Sequence, residues 1–437
     1  MAPTPRDAGG PAPFRFSRME RDLRGHRLRT VSVDGMPAEF VTDPALVRRI
    51  LVKDGKHYGK GELFQKARIL SRAGLLAPDD TLHRHYRRLA HPYLRTAAVA
   101  GHTPLMRDIA RSTVAPWRPG RPLDIQAEMC RAASRIALST LFGTLPEETS
   151  GTLGAHLAAL SWEMIRKPLY GAAARSPQPA RRLARAFTDF RALLAPFAGR
   201  RDPAHPMAGY LSALLNDTGP DGTTALDAGQ ICDEAVMMLT AATVTTASVM
   251  SWALHLLAQD PLVEEKVLKD LAHTRSTDPD TGTGPAAGAR PGHGHGPPGY
   301  VLRFLMEVLR LYPPVWITCR KTLTPVTLGE HTLPADTHVM FSSYLLHRDP
   351  DRYPDPHRLD PDRWLTLRPS AQDASYIPFG AGARGCVGET FAWKELEILL
   401  GAVAREWRLS TGPGSRVRAA PHTTLHPRRL LMTPEPR

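Results

Sequence analysis

The sequence predicts a mainly α-helical fold with small β-sheets, and three observations carry that expectation. Apolar residues recur at helical spacing over most of the chain beyond about residue 80. The run from Ala235 to Gln259 holds no Asp, Glu, Lys or Arg and reads as one long helix. Period-two alternation is confined to short stretches near 31–41 and 326–341. With 42% hydrophobic and 23% charged residues, the 437-residue chain has the apolar material for a core and cannot be disordered throughout.

Taken in order, Met1 to Phe16 is broken by Pro and Gly and has no apolar stretch long enough for a signal peptide or anchor, which predicts a cytoplasmic protein. Residues 1–30 read as an N-terminal segment. Val31 and Val33, then Ala38 to Val41, alternate as two strands, and Asp43-Pro44 offers a helix start before Ala45 to Leu51. Helical spacing continues near 82–95, 105–115, 125–143, 153–166, 180–197 and 207–216. At about 1.5 Å per residue, the uncharged run 235–259 is long enough to cross the roughly 30 Å core of a bilayer. Six hydroxyl residues (Thr240, Thr243, Thr245, Thr246, Ser248 and Ser251) and His255 make it poor for lipid, and no aromatic belt or Lys/Arg bias flanks it. It is therefore expected inside the protein, with no membrane partner.

Residues 274–299 are mostly Gly, Pro and small polar residues, which cannot bury enough apolar surface to offset their ordering entropy. They predict a flexible surface insertion. Tyr300 to Leu311 reads as a helix stopped by Pro313-Pro314. Val326–Leu328, His331–Leu333 and His338–Phe341 read as strands, the first two joined by a Gly329-Glu330 turn. The pattern fits one domain over 31–432 with a short tail at 433–437.

The formal net charge of +13 comes from 47 Arg against nine Lys, scattered in ones and twos. No basic run interleaves with aromatic residues, so nucleic acid is not an expected partner; a basic face for an acidic protein is. The four cysteines, Cys130, Cys232, Cys319 and Cys386, form neither a C-x-x-C pair nor a disulfide scaffold, which suits a reducing compartment.

The strongest motif is Phe379-Gly380-Ala381-Gly382-Ala383-Arg384-Gly385-Cys386-Val387-Gly388. Leu396, Leu399, Leu400, Val403 and Trp407 follow at helical offsets, so an amphipathic helix begins just after the cysteine. A thiol at a helix N-terminus is favoured as thiolate by the dipole and the free N–H groups, which suits a metal ligand. Glycines let the loop backbone approach a flat cofactor, and Arg384 offers a guanidinium fork for a carboxylate. This segment resembles the heme-binding loop of the cytochrome P450 family, F-G-x-G-x-R-x-C-x-G. The resemblance implies heme b held between the long central helix and this loop, Phe379 and Arg384 against the heme, Arg384 on a propionate, and Cys386 as the axial thiolate on iron.

Other segments extend the likeness from about residue 30 to about 432. Glu307 and Arg310 lie three apart on one helix face, where they can pair. Followed by Leu311-Tyr312-Pro313-Pro314 and later by Pro361-Asp362-Arg363-Trp364, they look like the family's K-helix pair and the arginine that joins it. The implied Glu307, Arg310 and Arg363 network is structural and braces the cysteine loop. His83-Arg84-His85-Tyr86-Arg87-Arg88 is similar to the family's C-helix, with His83 and Arg87 matching its propionate contacts, and Arg320 matches a further one.

Ala241-Ala242-Thr243-Val244-Thr245-Thr246 matches the family pattern [Ala/Gly]-Gly-x-[Asp/Glu]-Thr-[Thr/Ser], in register with Ala247-Ser248 and Ser251-Trp252. The resemblance implies Thr245 as a catalytic alcohol beside Cys386. Val244, however, stands where the family has an acid, and Ala242 where it has Gly. The missing acid points either to proton delivery by Thr243, Thr245, ordered water or a substrate group, or to chemistry less dependent on protons: coupling, rearrangement or peroxide-driven oxidation.

The segments matching the family's substrate contacts are about 58–78, 161–175, 237–245, 314–318 and 421–426. Phe64, Leu75, Met238, Ala241, Val244, Val315, Trp316 and Ile317 within them predict a pocket for a bulky lipophilic molecule. The stretch Leu309 to Trp364 looks most like bacterial members that oxidise terpene skeletons in secondary metabolism, with a polyketide, aromatic or peptide-derived product as the alternative substrate. A non-catalytic heme carrier is a further reading. The resemblance implies a soluble monomer drawing electrons from a separate ferredoxin or flavodoxin and its reductase, since no flavin or iron–sulfur motif accompanies the heme loop.

Overall fold

The computed structural model describes residues 16–61, 80–167, 176–198, 208–219, 226–277, 298–368 and 374–437, with Leu75 and Gly222, less the single positions 24, 34, 144 and 413. The helices are α1 (Phe16–Leu23), α2 (Pro44–Arg48), α3 (Asp80–Leu94), α4 (Thr96–Val114), α5 (Ile125–Phe142), α6 (Glu147–Arg166), α7 (Pro177–Ala198), α8 (Ala208–Leu215), α9 (Ala228–Gln259), α10 (Pro261–Thr277), α11 (Tyr300–Leu311), α12 (Ser343–Leu346) and α13 (Glu389–Glu406). Helix is the main state and the strands are short, as the periodicities predict.

Helix α9 runs through the centre of the protein. Asp227 and Gln230 start it with a reciprocal capping box: Asp227 Oδ1 accepts from the Gln230 N–H at 2.8 Å and Gln230 Oε1 from the Asp227 N–H at 2.9 Å. Its end is a corner at Asp260-Pro261, where Asp260 Oδ1 accepts from the N–H groups of Leu262 and Val263, both at 3.1 Å. Five of the six hydroxyls that make this run unsuited to lipid are satisfied within the helix. Thr240, Thr243, Thr245, Ser248 and Ser251 donate to the carbonyls four residues back, at 2.6 to 2.9 Å. The helix is long and apolar enough to cross a membrane, and 78% of its most apolar window is buried inside the protein. Trp252 anchors it, stacking on Tyr312 at 3.7 Å between centroids and donating to the Leu425 carbonyl.

Four small sheets surround the helical body. One has the order β1 (Leu28–Val33), β2 (Met36–Val41), β8 (His338–Phe341), β5 (Thr318–Thr322), β3 (Tyr58–Lys60), antiparallel except for the parallel β2–β8 pair. A second pairs β6 (Val326–Leu328) with β7 (His331–Leu333) across Gly329, whose φ of 64° needs no Cβ. The third joins β4 (Leu123–Asp124), β12 (Leu431–Pro436) and β9 (Trp407–Ser410), and the fourth β10 (Ala419–Pro421) and β11 (Leu425–Pro427).

Several boundaries differ from expectation. Strand β1 starts at Leu28 and α1 precedes it, so the expected N-terminal segment 1–30 contains regular structure. Strand β12 carries the chain past 432 to Pro436, because Thr433 to Pro436 pair with β9. Helix α4 begins at Thr96 rather than near 105 and runs through Gly101 and Pro104, the break falling instead at extended Arg95. Trp407 ends the helix after Cys386 by turning into β9. Thr277 closes α10, so the first residues of the expected insertion are helical; residues 278–297 lie outside the described residues.

Candidate active site

From Glu234 to Leu254 every residue of α9 is buried except Met238, Ala241, Ala242 and Thr245. These fall at i, i+3, i+4 and i+7, one face of the helix. A central helix is therefore open along one stripe of small side chains, with Thr245 at its end and Ala241 its most exposed member. That is the surface a flat ligand needs beside it.

The loop before α13 carries the second part of the site, the motif cysteine Cys386. It is fixed by its own backbone: the Cys386 N–H donates to the Phe379 carbonyl at 2.8 Å, Gly380 to Ile377 at 3.0 Å and Gly385 to Gly382 at 3.0 Å. Gly380 and Gly382 adopt φ of 70° and 69°, and a Cβ on Gly382 would run into the Leu51 carbonyl in the turn after α2. Phe379 meets Trp393 edge to face at 5.3 Å, holding the loop on α13.

Cys130, Cys232 and Cys319 are buried, whereas Cys386 is exposed. Protein nevertheless packs around its thiol, and burial is the main influence on it. That enclosure pushes the thiol up to about 11, opposed by the Gly388 N–H that it accepts and by Arg87, and reinforced by Glu389. Arg87 Nη1 also donates to the Gly385 carbonyl at 2.6 Å, which brings α3 onto the loop. His83, one turn earlier, is buried, and Arg384 and Arg320 are half-buried. Arg320 lies in β5 and donates to the Cys319 carbonyl at 3.0 Å.

A buried ion network stands behind the loop. Glu307 Oε1 accepts from Arg310 Nη2 at 2.8 Å and Arg363 Nε at 2.9 Å; Oε2 accepts from Arg310 Nε at 2.9 Å and Trp364 Nε1 at 3.0 Å. The Asp360 N–H adds a fifth bond. Arg310 Nη1 then donates to the His347 and Pro356 carbonyls and Nη2 to that of Arg358. His347 carries the brace onward: its Nε2 accepts from the Ile377 N–H at 2.9 Å, two residues before Phe379. Burial and the neighbouring Arg310 and Arg348 lower the imidazole to about 3, keeping it neutral as an acceptor needs.

A family model for cytochrome P450 matches residues 25–437. The chain belongs to the cytochrome P450 family. It is 34% identical over 385 residues, 86% of this chain and 81% of the relative, to the cyclooctat-9-en-7-ol 5-monooxygenase of Streptomyces melanosporofaciens. It is 30% identical to the cyclooctatin synthase of the same organism, covering 92% of this chain and 87% of that protein. With the pentalenene oxygenase of Streptomyces avermitilis it shares 31% identity over 89% of this chain and 86% of the other. The fold matches the crystallised cytochrome P450DA heme domain with a TM-score of 0.78, at 20% identity over 97% of this chain and 92% of that one. A six-coordinated P450 from Thermus thermophilus gives 0.72 at 24% identity, over 96% and 97% of the two chains.

This P450 is therefore a monooxygenase whose cofactor is heme with a thiolate-ligated iron, acting on a lipophilic substrate with electrons from a redox partner. The residues present fit that cofactor. An exposed cysteine lies in a glycine loop, a stripe of residues opens on the central helix, and His83, Arg87, Arg320 and Arg384 would hold the carboxylates.

The pocket residues divide. Met238 and Ala241 lie on the open stripe and Val315 is 49% exposed, while Ile317 is half-buried. Trp316 is fully buried with Tyr344 and Leu425, its indole donating to the His422 carbonyl, so it supports the pocket from behind. Val244, 3% exposed, is in the core. Leu75 is buried, its N–H shared by both oxygens of Glu234 at 3.1 Å; Phe64 lies outside the described residues.

The sequence reading missed two buried carboxylates on facing helices. Glu234 accepts from Leu75 and from the Tyr210 hydroxyl at 2.9 Å, and burial raises it to about 7. Glu395 accepts from Thr246 at 2.8 Å. A signal for Glu395 was present: it interrupts the apolar face formed by Leu396, Leu399 and Leu400.

Proposed function

We propose that the chain is a soluble, cytoplasmic P450 that hydroxylates or otherwise oxidises a bulky terpenoid of secondary metabolism, with Cys386 as the iron's axial ligand and electrons from a separate ferredoxin. The observation that carries the reading is the open stripe Met238, Ala241, Ala242 and Thr245 on an otherwise buried helix, together with the exposed thiol of the neighbouring loop. Relatives named for cyclooctat-9-en-7-ol, cyclooctatin and pentalenene support the substrate class.

In this reading His83, Arg87, Arg384 and Arg320 hold the heme's carboxylates and Phe379 packs the loop beneath it. The bound heme supplies oxygen activation, the thiolate favouring O–O cleavage. The protein's residues do the rest. The Gly388 N–H and Arg87 favour the thiolate of Cys386 against its burial. Met238, Ala241 and Val315 give the substrate an apolar wall that excludes water. Thr245 keeps its own proton on the Ala241 carbonyl at 2.9 Å, leaving its oxygen lone pairs to accept from a water or substrate group.

Val244 supports a second reading, an atypical P450 that performs coupling, rearrangement or peroxide-driven oxidation, since an apolar side chain in the core cannot relay protons. The absorbance of dithionite-reduced protein under carbon monoxide tests the site. Wild type should give the red-shifted Soret band of a thiolate-ligated carbonyl and Cys386→Ser should not; an unshifted band in wild type would overturn the assignment. Val244→Glu then separates the readings: faster oxygen-dependent hydroxylation of a terpenoid panel supports the first, unchanged rates the second.

A further inference from the structure

The open stripe of α9 is closed at both ends. Three residues beyond Thr245 the face reaches Ser248, which is buried, its Oγ 3.0 Å from Thr424 Oγ1 in the turn between β10 and β11. Four residues before Met238 it reaches Glu234, on the same face yet with no exposure. Two groups cover that carboxyl: the Leu75 N–H donates to both oxygens at 3.1 Å, and the Tyr210 hydroxyl of α8 donates to Oε1 at 2.9 Å. What stays open between the two ends, from Met238 to Thr245, is about 10 Å of helix.

An apolar side chain would cover this face of the helix without desolvating a carboxyl. What an apolar side chain cannot do is hold main chain. Both oxygens of Glu234 take the N–H of a residue 159 positions earlier, which fixes the backbone at Leu75 in place and in direction. Tyr210, itself fully buried, ties the same carboxyl to α8, and its ring lies 6.1 Å from that of Tyr93 on α3. Leu75 belongs to a segment that the sequence assigns to the substrate pocket, so the residue held here is a pocket residue.

We propose that Glu234 is a positioning residue that sets the far wall of the substrate site: by holding the main chain at Leu75 against α9 it ends the groove one turn beyond Met238, and so selects a compact polycyclic molecule over an extended chain. The inference rests on the heme-site reading above and narrows its substrate class. The wall stands about 16 Å along the helix from Thr245 and touches none of the reacting atoms. A fused-ring lipophile fits along the floor between Met238 and Thr245. An extended acyl chain needs floor that continues past Met238, where Glu234, Leu75 and Tyr210 stand. Shape rather than polarity makes the distinction, because Met238 and Ala241 offer both molecules the same apolar surface.

The test uses full-length, heme-loaded protein, the variant Glu234→Gln, and the double variant Glu234→Leu/Tyr210→Phe, which keeps apolar bulk at both positions and removes the carboxyl. The reduced carbon monoxide spectrum comes first: a wild type without the thiolate band overturns the heme-site reading and this inference with it, whereas a normal band isolates the question of Glu234. Amide hydrogen exchange in the peptide carrying Leu75 should be as slow in Glu234→Gln as in wild type, since Oε1 still accepts, and about tenfold faster in the double variant. Titrations with cedrol, a tricyclic alcohol, and dodecan-1-ol, a linear one, followed by the Soret shift and by calorimetry, then read the wall. Wild type and Glu234→Gln should favour cedrol. The double variant should keep cedrol and bind dodecan-1-ol about fifteenfold more tightly, the worth of two further buried CH₂ groups at about fourfold each. A wild type that binds both alcohols equally, a double variant that gains nothing for dodecan-1-ol, or unchanged exchange at Leu75 overturns the proposal. If the double variant does not retain heme, Glu234→Asp decides, its carboxyl one CH₂ too short to keep both bonds to Leu75: unchanged affinity for dodecan-1-ol overturns it equally.

Discussion

Replacing Glu307 by Ala would remove the acceptor of five hydrogen bonds, leaving the buried Arg310 without its carboxylate and Arg363 with only Asp360 at 4.0 Å. Arg310 has no exposure and the Arg363 side chain 5%, so neither can turn to water without unpacking α11 or the 361–365 turn. Removing one partner of a buried pair costs about 3–5 kcal/mol, and total stability is about 5–15 kcal/mol, so the variant should lose at least about a fifth of its folding free energy. Arg310→Ala should cost a similar amount for a different reason, since it strands Glu307 together with the carbonyls of His347, Pro356 and Arg358. The double variant should therefore cost less than the two singles summed, by about 0.5–3 kcal/mol, because each single already breaks the shared pair. Guanidinium unfolding followed by tryptophan fluorescence reads this directly, Trp364 being a member of the network. A Glu307→Ala cost below about 1 kcal/mol, or singles that simply add, would show that the network is not a buried ion network of the kind the geometry describes.

Trp252→Ala should cost about 3–5 kcal/mol by removing the stacked Tyr312 contact and the bond to Leu425; urea midpoints would expose a smaller loss. Gly382→Ala should displace the cysteine loop, since it meets both a positive φ and the Leu51 carbonyl, and heme content after purification measures that displacement; full loading would contradict the loop geometry. Asp227→Ala should lose about 1 kcal/mol as the α9 cap disappears, with Asp227→Ser retaining most of it in the same unfolding assay. Stability should also bend with pH from both sides. Glu395 and Glu234 rise from 4.5 to about 8 and about 7 on folding, so the folded state holds more protons and their contribution is lost as pH climbs from about 4.5 through those values. His347 and His426 fall from 6.5 to about 3 and about 4, so theirs is lost as pH drops from about 6.5 toward those values. Glu395→Gln should flatten the alkaline limb of urea midpoint against pH; an identical limb would show that this carboxyl does not titrate on unfolding.

The helices and the cysteine loop were legible in the sequence because each announces itself locally. An uncharged run gave α9, a double proline ended α11, and a fixed set of Gly, Arg and Cys gave the loop. Pairing of Glu307 with Arg310 was legible for the same reason, three residues apart on one helix. What could not be read was tertiary choice. Trp316 and Val315 are neighbours of similar apolar character, yet one is fully buried and the other 49% exposed, because the chain there passes between β11 and the open face. Helical spacing put a helix near 105–115, and α4 begins earlier, at Thr96, with Val99 and Met106 packed into the core on either side of Pro104. His347 has no sequence signal at all: its role depends on an N–H thirty residues away.

Among the described residues, the fully buried acids Glu307, Glu234 and Glu395 show why residue type alone cannot assign chemistry. Each is a glutamate with almost no exposure, so desolvation acts against the charge in all three, and what differs is the partner. Glu307 has two guanidinium groups and an indole, which engage both of its oxygens and compensate a buried charge. Glu234 has a backbone N–H and a phenol, dipoles that offset burial in part and hold it at about 7. Glu395 has a single hydroxyl and stands at about 8. Between Glu234 and Glu395 the order follows the number of donors, the acid with the single hydroxyl partner standing higher. That makes Glu395 the acid whose substitution reads the cost of a buried, singly partnered carboxyl apart from any ion network.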